Sequence, residues 1–191
     1  ARRFVEFDPV EAEVVRGPMR PIALATRRHD GGLSQGVAPG LGEIVVFLPY
    51  SPLHELLLAA VEGPIVATSG TISGEPVLTD NDEAAERLAP IADAFLQHDR
   101  PIVRPADDPV FRRIDGAMRP IRIGRGCAPR ELELPWPVAV PTLAVGGHMK
   151  GTLALAWDRR VVVSPHIGEM DSPRSLDVFE QVAQDLQSLY G

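Results

Sequence analysis

The sequence predicts an α/β (α+β) architecture in which a sheet with helices forms a larger unit, followed by a smaller unit of strands and one helix. Three observations carry this expectation. Apolar runs of strand length lie at 21–26, 43–48 and 64–68, rich in Val, Ile and Ala and each bounded by Pro or Gly; such continuous runs suit strands covered on both faces. A helix-start signal, Ser51-Pro52, stands between the second and third runs, with a capping hydroxyl followed by proline at the first helical position. A stretch with prolines at 135, 137 and 141 then separates the first part of the chain from the last.

Taken in order, the runs at 21–26 and 43–48 are the first strands. The helix opening at Ser51 continues to about Glu62, where Gly63-Pro64 stops it. The run at 64–68 is a third strand. A second helix starts near Asp80, since Asp80 and Glu83 have capping-box spacing and Ala84, Ala85 and Leu88 share a face; Pro90 ends it. Strands return at 110–114 and 118–123, joined by a turn at Gly116, and Gly124-Arg125-Gly126 breaks the order. Residues 130–141 read as irregular chain. Beyond them, strands at 142–145 and 152–157 flank Gly146-Gly147-His148-Met149-Lys150-Gly151, and a third strand occupies 160–164. The last helix starts at Ser172-Pro173, with Leu176, Phe179, Val182, Ala183, Leu186, Leu189 and Tyr190 as its apolar stripe. The resulting division is 1–134, a linker at 135–141, and 142–191. The last unit, roughly 50 residues, is too small to close a good core by itself and reads as the start of a larger domain.

The bulk properties narrow the function classes. The chain has 191 residues, 45% of them hydrophobic, enough for a sizeable core. No apolar run approaches the roughly 18 residues that span a bilayer, so no membrane partner is expected. The opening Ala1-Arg2-Arg3-Phe4-Val5-Glu6 is charged and amphipathic, unlike a signal peptide, and without an initiator Met it reads as part of a longer polypeptide. Cys127 is the single cysteine, which rules out an internal disulfide and a multi-cysteine zinc site and fits a cytoplasmic setting. The net charge of −7 argues against a generic nucleic-acid binder. Locally, however, 100–130 holds eight Arg and three Asp. That cluster reads either as scattered solvated surface or as a basic wall around a phosphate or carboxylate.

The segment richest in chemistry is Thr68-Ser69-Gly70-Thr71-Ile72-Ser73-Gly74-Glu75-Pro76. Its hydroxyls and flexible glycines can present many donors to a phosphate or a carbamate; the same composition also suits an ordinary turn whose hydroxyls bond the local backbone. No Walker-type loop occurs. His29, His54, His98, His148 and His166 lack close metal-ligand spacing, so no metal site is expected. Asp107 and Asp108 are neighbours, which on extended chain point to opposite faces. Cys127 has no evident base beside it in sequence.

Longer strings show a resemblance. Gly36-Val37-Ala38-Pro39-Gly40-Leu41-Gly42-Glu43-Ile44, Leu48-Pro49-Tyr50-Ser51-Pro52-Leu53-His54, the Thr68–Pro76 loop, Thr79-Asp80-Asn81-Asp82-Glu83-Ala84, His98-Asp99-Arg100-Pro101-Ile102, Arg125-Gly126 with Ala128-Pro129, and His166-Ile167-Gly168 resemble, in order and spacing, the hydrogenase-maturation carbamoyltransferase (HypF) family. The resemblance covers nearly the whole chain. It implies a YrdC-like domain with a twisted mixed sheet, followed by the start of a ribonuclease-H-like transferase domain. It also implies formation of carbamoyl adenylate from ATP (with magnesium) and carbamoyl phosphate. The carbamoyl group would then pass to a cysteine of an acceptor protein in nickel–iron hydrogenase maturation.

By the same resemblance, Thr68, Ser69, Gly70, Thr71 and Ser73 are the nucleotide and carbamate loop. Arg122 is a phosphate-binding arginine, and Asp108 lies near the ligand cleft. Gly146, Gly147 and Lys150 are a phosphate turn in the second unit, a segment that otherwise reads as a glycine hairpin with a solvent-facing lysine. No catalytic nucleophile is implied. Thr71 stands where the family usually carries Asn, and the hairpin lacks the family's Glu-Leu-Lys-Asn ending. The family's acylphosphatase-like and zinc-finger regions would precede Ala1, and the first YrdC strand would be absent. The transferase histidines would follow Gly191. These expectations place zinc outside this chain and predict weak ligand binding with no completed transfer. YrdC-like domains are also associated with double-stranded RNA, which gives an alternative non-catalytic reading as a double-stranded RNA or nucleotide-binding module.

Overall fold

The computed structural model describes residues 1–190. The chain divides into two compact units, each discontinuous in sequence: Ala1–Ala67 with Asp108–Arg122, and Thr68–Asp107 with Ile123–Gly191.

The first unit is built on a five-stranded mixed sheet. Its hub is β2 (Ile22–Arg27), antiparallel to β1 (Val5–Glu6) and to β3 (Glu43–Val46). A parallel pairing joins β2 to β4 (Val110–Ile114), which turns back antiparallel into β5 (Ala117–Arg122). Alternate residues of β2 explain its place: Ala23 and Ala25 are buried, and Ala25 packs with Val5 and Ile44. Between β1 and β2 lies α1 (Pro9–Arg16). Asp8 and Glu11 form a reciprocal capping box at its start, and Gly17 closes it, so two orphan backbone donors are satisfied. Asp8 also pairs with Arg113 of β4, fixing the helix entry to the sheet.

After β3 comes α2 (Pro52–Val61), capped by the Ser51 side chain and ended by Glu62 at φ 57°. The expected helix is therefore present, yet none of its residues is buried. The apolar run at 64–68 forms no strand: the segment is irregular, and Val66 is 87% exposed. An apolar run becomes a strand only where a neighbour completes its ladder, and no described residue pairs with it.

The second unit contains α3 (Asn81–Leu88), a long two-stranded ribbon of β6 (Arg130–Ala144) and β7 (Ala154–Val163), and α4 (Pro173–Tyr190). The ribbon corrects two expectations. Residues 135–141, read as a linker, lie inside β6. The register slips between Glu133 and Val138 and again between Val138 and Thr142. Pro135, Pro137 and Pro141 fall within those slips, where the ladder can do without their missing N–H groups. The strands read at 152–157 and 160–164 are one strand. Asp158, at φ 45°, stands opposite Val138 in the irregular stretch of the ladder. The sequence division at 135–141 thus follows composition, whereas the compact units follow packing.

The core of this unit is Leu153, Leu155, Val162, Ile167 and Leu186, with Phe179, Val182, Ala183 and Tyr190 of α4 packed against it. Leu176 and Leu189, assigned to the same stripe, sit at its margins and are half or more exposed. Among the described residues, no helix is long and apolar enough to cross a membrane.

Leu153 has no exposed surface, so Leu153→Ala is expected to destabilise the protein by about 2–5 kcal/mol through lost burial and a residual cavity. Leu189→Ala is expected to change stability by less than about 0.5 kcal/mol. Urea denaturation of the two variants checks both.

Candidate functional site

The loop from Thr68 to Pro76 follows the irregular segment after α2 and leads into α3. Three backbone bonds shape it: Thr71 N–H to the Ser69 carbonyl at 3.0 Å, Glu75 N–H to Ile72 at 3.0 Å, and Leu78 N–H to Gly70 at 3.1 Å. Gly74 takes φ +83°, a conformation open to glycine without a Cβ penalty. The Thr71 hydroxyl is turned inward, within 2.6 Å of the Glu75 carbonyl and 2.9 Å of the Ile72 carbonyl. It is therefore a brace of the loop, not a free donor. Thr68, Ser69, Gly70 and Ser73 are exposed, and among the described residues the Ser69 and Ser73 hydroxyls carry no hydrogen bond.

The end of the loop is held by charge. Arg87 of α3 forks onto Glu75, at 2.7 and 3.1 Å, and reaches Glu83 at 3.4 Å. Hydrogen bonding from Arg87 holds the Glu75 carboxyl below the usual glutamate range; desolvation opposes this, and the positive charges of Arg87 and Arg174 add to it.

Asp108 and Arg122 belong to the other compact unit. There the Arg122 guanidinium donates from Nε to the Asp108 main-chain carbonyl at 2.9 Å. The two are thus neighbours, with Arg122 half-buried at the end of β5.

In the second unit, the turn at 146–151 is clasped onto 166–171. Gly151 N–H bonds the Gly168 carbonyl at 2.7 Å, Ile167 N–H bonds the Gly151 carbonyl at 2.9 Å, and Met170 N–H bonds the His148 carbonyl at 3.0 Å. A Cβ on Gly146 would lie 2.6 Å from the Thr152 carbonyl, and its φ is +66°, so that position requires glycine. Gly147 stands in open space. The Lys150 ammonium is 2.8 Å from Glu169, so an anion at this turn would compete with a carboxylate for it.

The arginines between 100 and 130 do not make a single unpaired basic surface. Arg104 pairs with Asp185, Arg112 with Glu43, and Arg113 with Asp8. One pairing lies outside what local sequence could show. Asp107 Oδ2 is 2.6 Å from His166 Nδ1. The His166 side chain is 11% exposed, and its Nε2 is buried without a hydrogen-bond partner. The only sequence trace of this pair is the presence of both residue types; 59 positions separate them. Among the described residues, no group of three or more His, Cys, Asp or Glu could hold a metal ion.

Comparison with known proteins follows this geometry. Residues 1–124 match the Sua5/YciO/YrdC family, described as "Telomere recombination", and residues 138–191 match the HypF Kae1-like domain. The carbamoyltransferase HypF of Synechocystis is 41% identical over 181 residues, covering 95% of this chain and 24% of that protein. The carbamoyltransferase HypF of Rhodobacter capsulatus is 42% identical over 190 residues, covering 98% of this chain and 25% of that protein. The chain thus spans about a quarter of the length of these curated relatives. Among solved structures, full-length HypF in the phosphate- and nucleotide-bound form superposes with a TM-score of 0.89 at 37% identity, over 97% of this chain and 29% of that one. HypF of T. kodakarensis gives 0.90 at 33% identity, over 97% of this chain and 24% of that one.

The Glu75 interaction gives a signed pH dependence. A carboxyl whose folded value lies below the ordinary 4.5 contributes stability above that value and loses it as the pH falls through the depressed folded value. Urea melts of wild type and Glu75→Gln are expected to differ by a constant amount above pH 4.5 and to converge on acidification.

Proposed function

The chain belongs to the HypF carbamoyltransferase family, and on that premise we propose that it supplies the adenylate-forming part of a hydrogenase-maturation carbamoyltransferase. Its substrates are ATP, carbamoyl phosphate and water, and its products are carbamoyl adenylate, pyrophosphate and inorganic phosphate; the carbamoyl group then passes to a cysteine of a maturation partner as AMP leaves, in the cytoplasm. The functional parts are the segment matching the YrdC family, which forms the adenylate, and the segment matching the HypF Kae1-like domain, which opens the transfer domain.

One observation carries the reading: in a loop braced by Thr71 and Glu75, the Ser69 and Ser73 side chains remain exposed. The neighbouring HypF structure, at 37% identity, is described as phosphate- and nucleotide-bound, which supports assigning such ligands to this chain. Hydroxyls and backbone N–H groups held in place before the ligand arrives stabilise anionic oxygens without reorganising. Adenylation requires positioning and charge stabilisation and no covalent protein intermediate. Within its own compact unit, Arg122 is a separate candidate for a charge-assisted bond to a phosphate, its Nε held by the Asp108 main-chain carbonyl. Magnesium would arrive with the triphosphate. The Thr71 hydroxyl acts on the loop, not on the ligand.

Calorimetric titration with ATP plus carbamoyl phosphate tests the proposal. Saturable binding is expected for the wild type. Ser69→Ala/Ser73→Ala is expected to weaken it by roughly tenfold or more, the scale of a lost hydrogen bond to a charged group. Equal binding by the double variant would remove this loop from the site.

A further inference from the structure

Two arginines and two glutamates close a ring behind the Thr68–Pro76 loop, and one member comes from far along the chain. Arg87 holds Glu75 through two bonds and touches Glu83. Arg174 of α4 places Nε 3.8 Å from Glu75 Oε2 and pairs through its second nitrogen with Glu83. The four side chains are between 20% and 31% exposed, so solvent screens them less than it would a surface pair. Arg174 is presented from a firm base. The Ser172 hydroxyl accepts from Ser175 N–H at 3.1 Å, and Ser175 is fully buried.

We propose that Arg174 is a positioning residue for the candidate ligand loop, acting through Glu75 and Glu83. The mechanical link is short. Glu75 supplies the carbonyl that the Thr71 hydroxyl braces against and the N–H that closes the Ile72 turn. Ser73 lies between those tie points, so the position of the Glu75 side chain sets where the Ser73 hydroxyl stands. Arg87 belongs to the helix that continues the loop and moves with it. Arg174 belongs to α4, which is anchored in the Leu153–Leu186 core, and so refers the loop to a separate rigid element. Its geometry also suits arginine: two different nitrogens of one planar guanidinium address two different carboxylates, whereas lysine would have to reach both from a single nitrogen. Through this ring, the segment matching the HypF Kae1-like domain acts on the loop of the segment matching the YrdC family. The ligand consequence rests on the nucleotide reading above; the anchoring itself does not.

Amide hydrogen exchange on the whole chain, without ligand, reads the anchoring. Arg174→Ala is expected to speed exchange at the Thr71, Glu75 and Leu78 amides roughly threefold, the scale of a partly exposed ion pair, with Arg174→Lys in between. Arg104→Ala, which breaks the other ion pair of α4, with Asp185, serves as the control and is expected to leave those three amides unchanged. No change in Arg174→Ala, or an equal change in Arg104→Ala, overturns the anchoring. In the same variants, calorimetric titration with ATP plus carbamoyl phosphate is expected to weaken by a similar factor for Arg174→Ala alone. Faster exchange with undiminished affinity overturns the positioning role. If the wild type itself binds no nucleotide, the functional reading fails, and the exchange comparison alone decides whether Arg174 holds the loop.

Discussion

The Glu75 carboxylate, engaged by Arg87 and faced by Arg174, is the constraint on which the order of the candidate loop depends. A Ser/Thr/Gly segment loses about 1–2 kcal/mol of backbone entropy for each residue fixed, and it buries little apolar surface in return. Tie points must offset that cost. The Thr71 hydroxyl closes the loop internally, and the ring at Glu75 closes it externally. What remains is a division of labour among side chains of similar chemistry. Thr71 is spent on the loop itself, while Ser69 and Ser73 stay exposed. If every hydroxyl were bonded locally, nothing would be left for a ligand; if none were, the loop would hold no fixed geometry to offer one.

A second constraint, backbone hydrogen bonding, shapes the ribbon. Proline cannot donate to a ladder, yet β6 carries three of them across 130–144. The conflict is resolved by slipping register on either side of Val138 and by letting Asp158 take a left-handed conformation opposite it. The regular parts on either side, 130–133 and 142–144, keep their partners on β7. The consequence is one continuous pair of strands, from whose second member the segment at 166–171 folds back to clasp the turn at 146–151.

Local signals were legible in the sequence, and those that depend on distant partners were not. The runs at 21–26 and 43–48, the Ser51-Pro52 start and the Asp80 cap each correspond to an observed element, because each is decided within a few residues. The α1 cap is also written locally, in Asp8-Pro9 and Glu11. The run at 64–68 has strand composition without a strand, since composition does not supply a pairing edge. Prolines within 135–141 suggested a linker because the register slip that accommodates them exists only once β7 lies alongside. In the site, the loop was recognisable by its residues. The inward turn of Thr71 was not, and neither were the Arg174–Glu83 and Asp107–His166 pairs, whose members are 91 and 59 residues apart.

Those distant pairs share a pattern. Glu75, Glu83, Arg104 and Asp107 lie in the part of the chain that matches the YrdC family, while Arg174, Asp185 and His166 lie in the part that matches the HypF Kae1-like domain. All seven belong to one compact unit. The unit is therefore held together across the boundary that the family matches draw, and it is held by charged and polar groups, not by apolar packing alone. Such contacts are directional and lose their value when one partner is removed. A chain assembled this way has to carry both segments together: the loop that offers Ser69 and Ser73 takes part of its geometry from α4, whose own seat is the Leu153–Leu186 core.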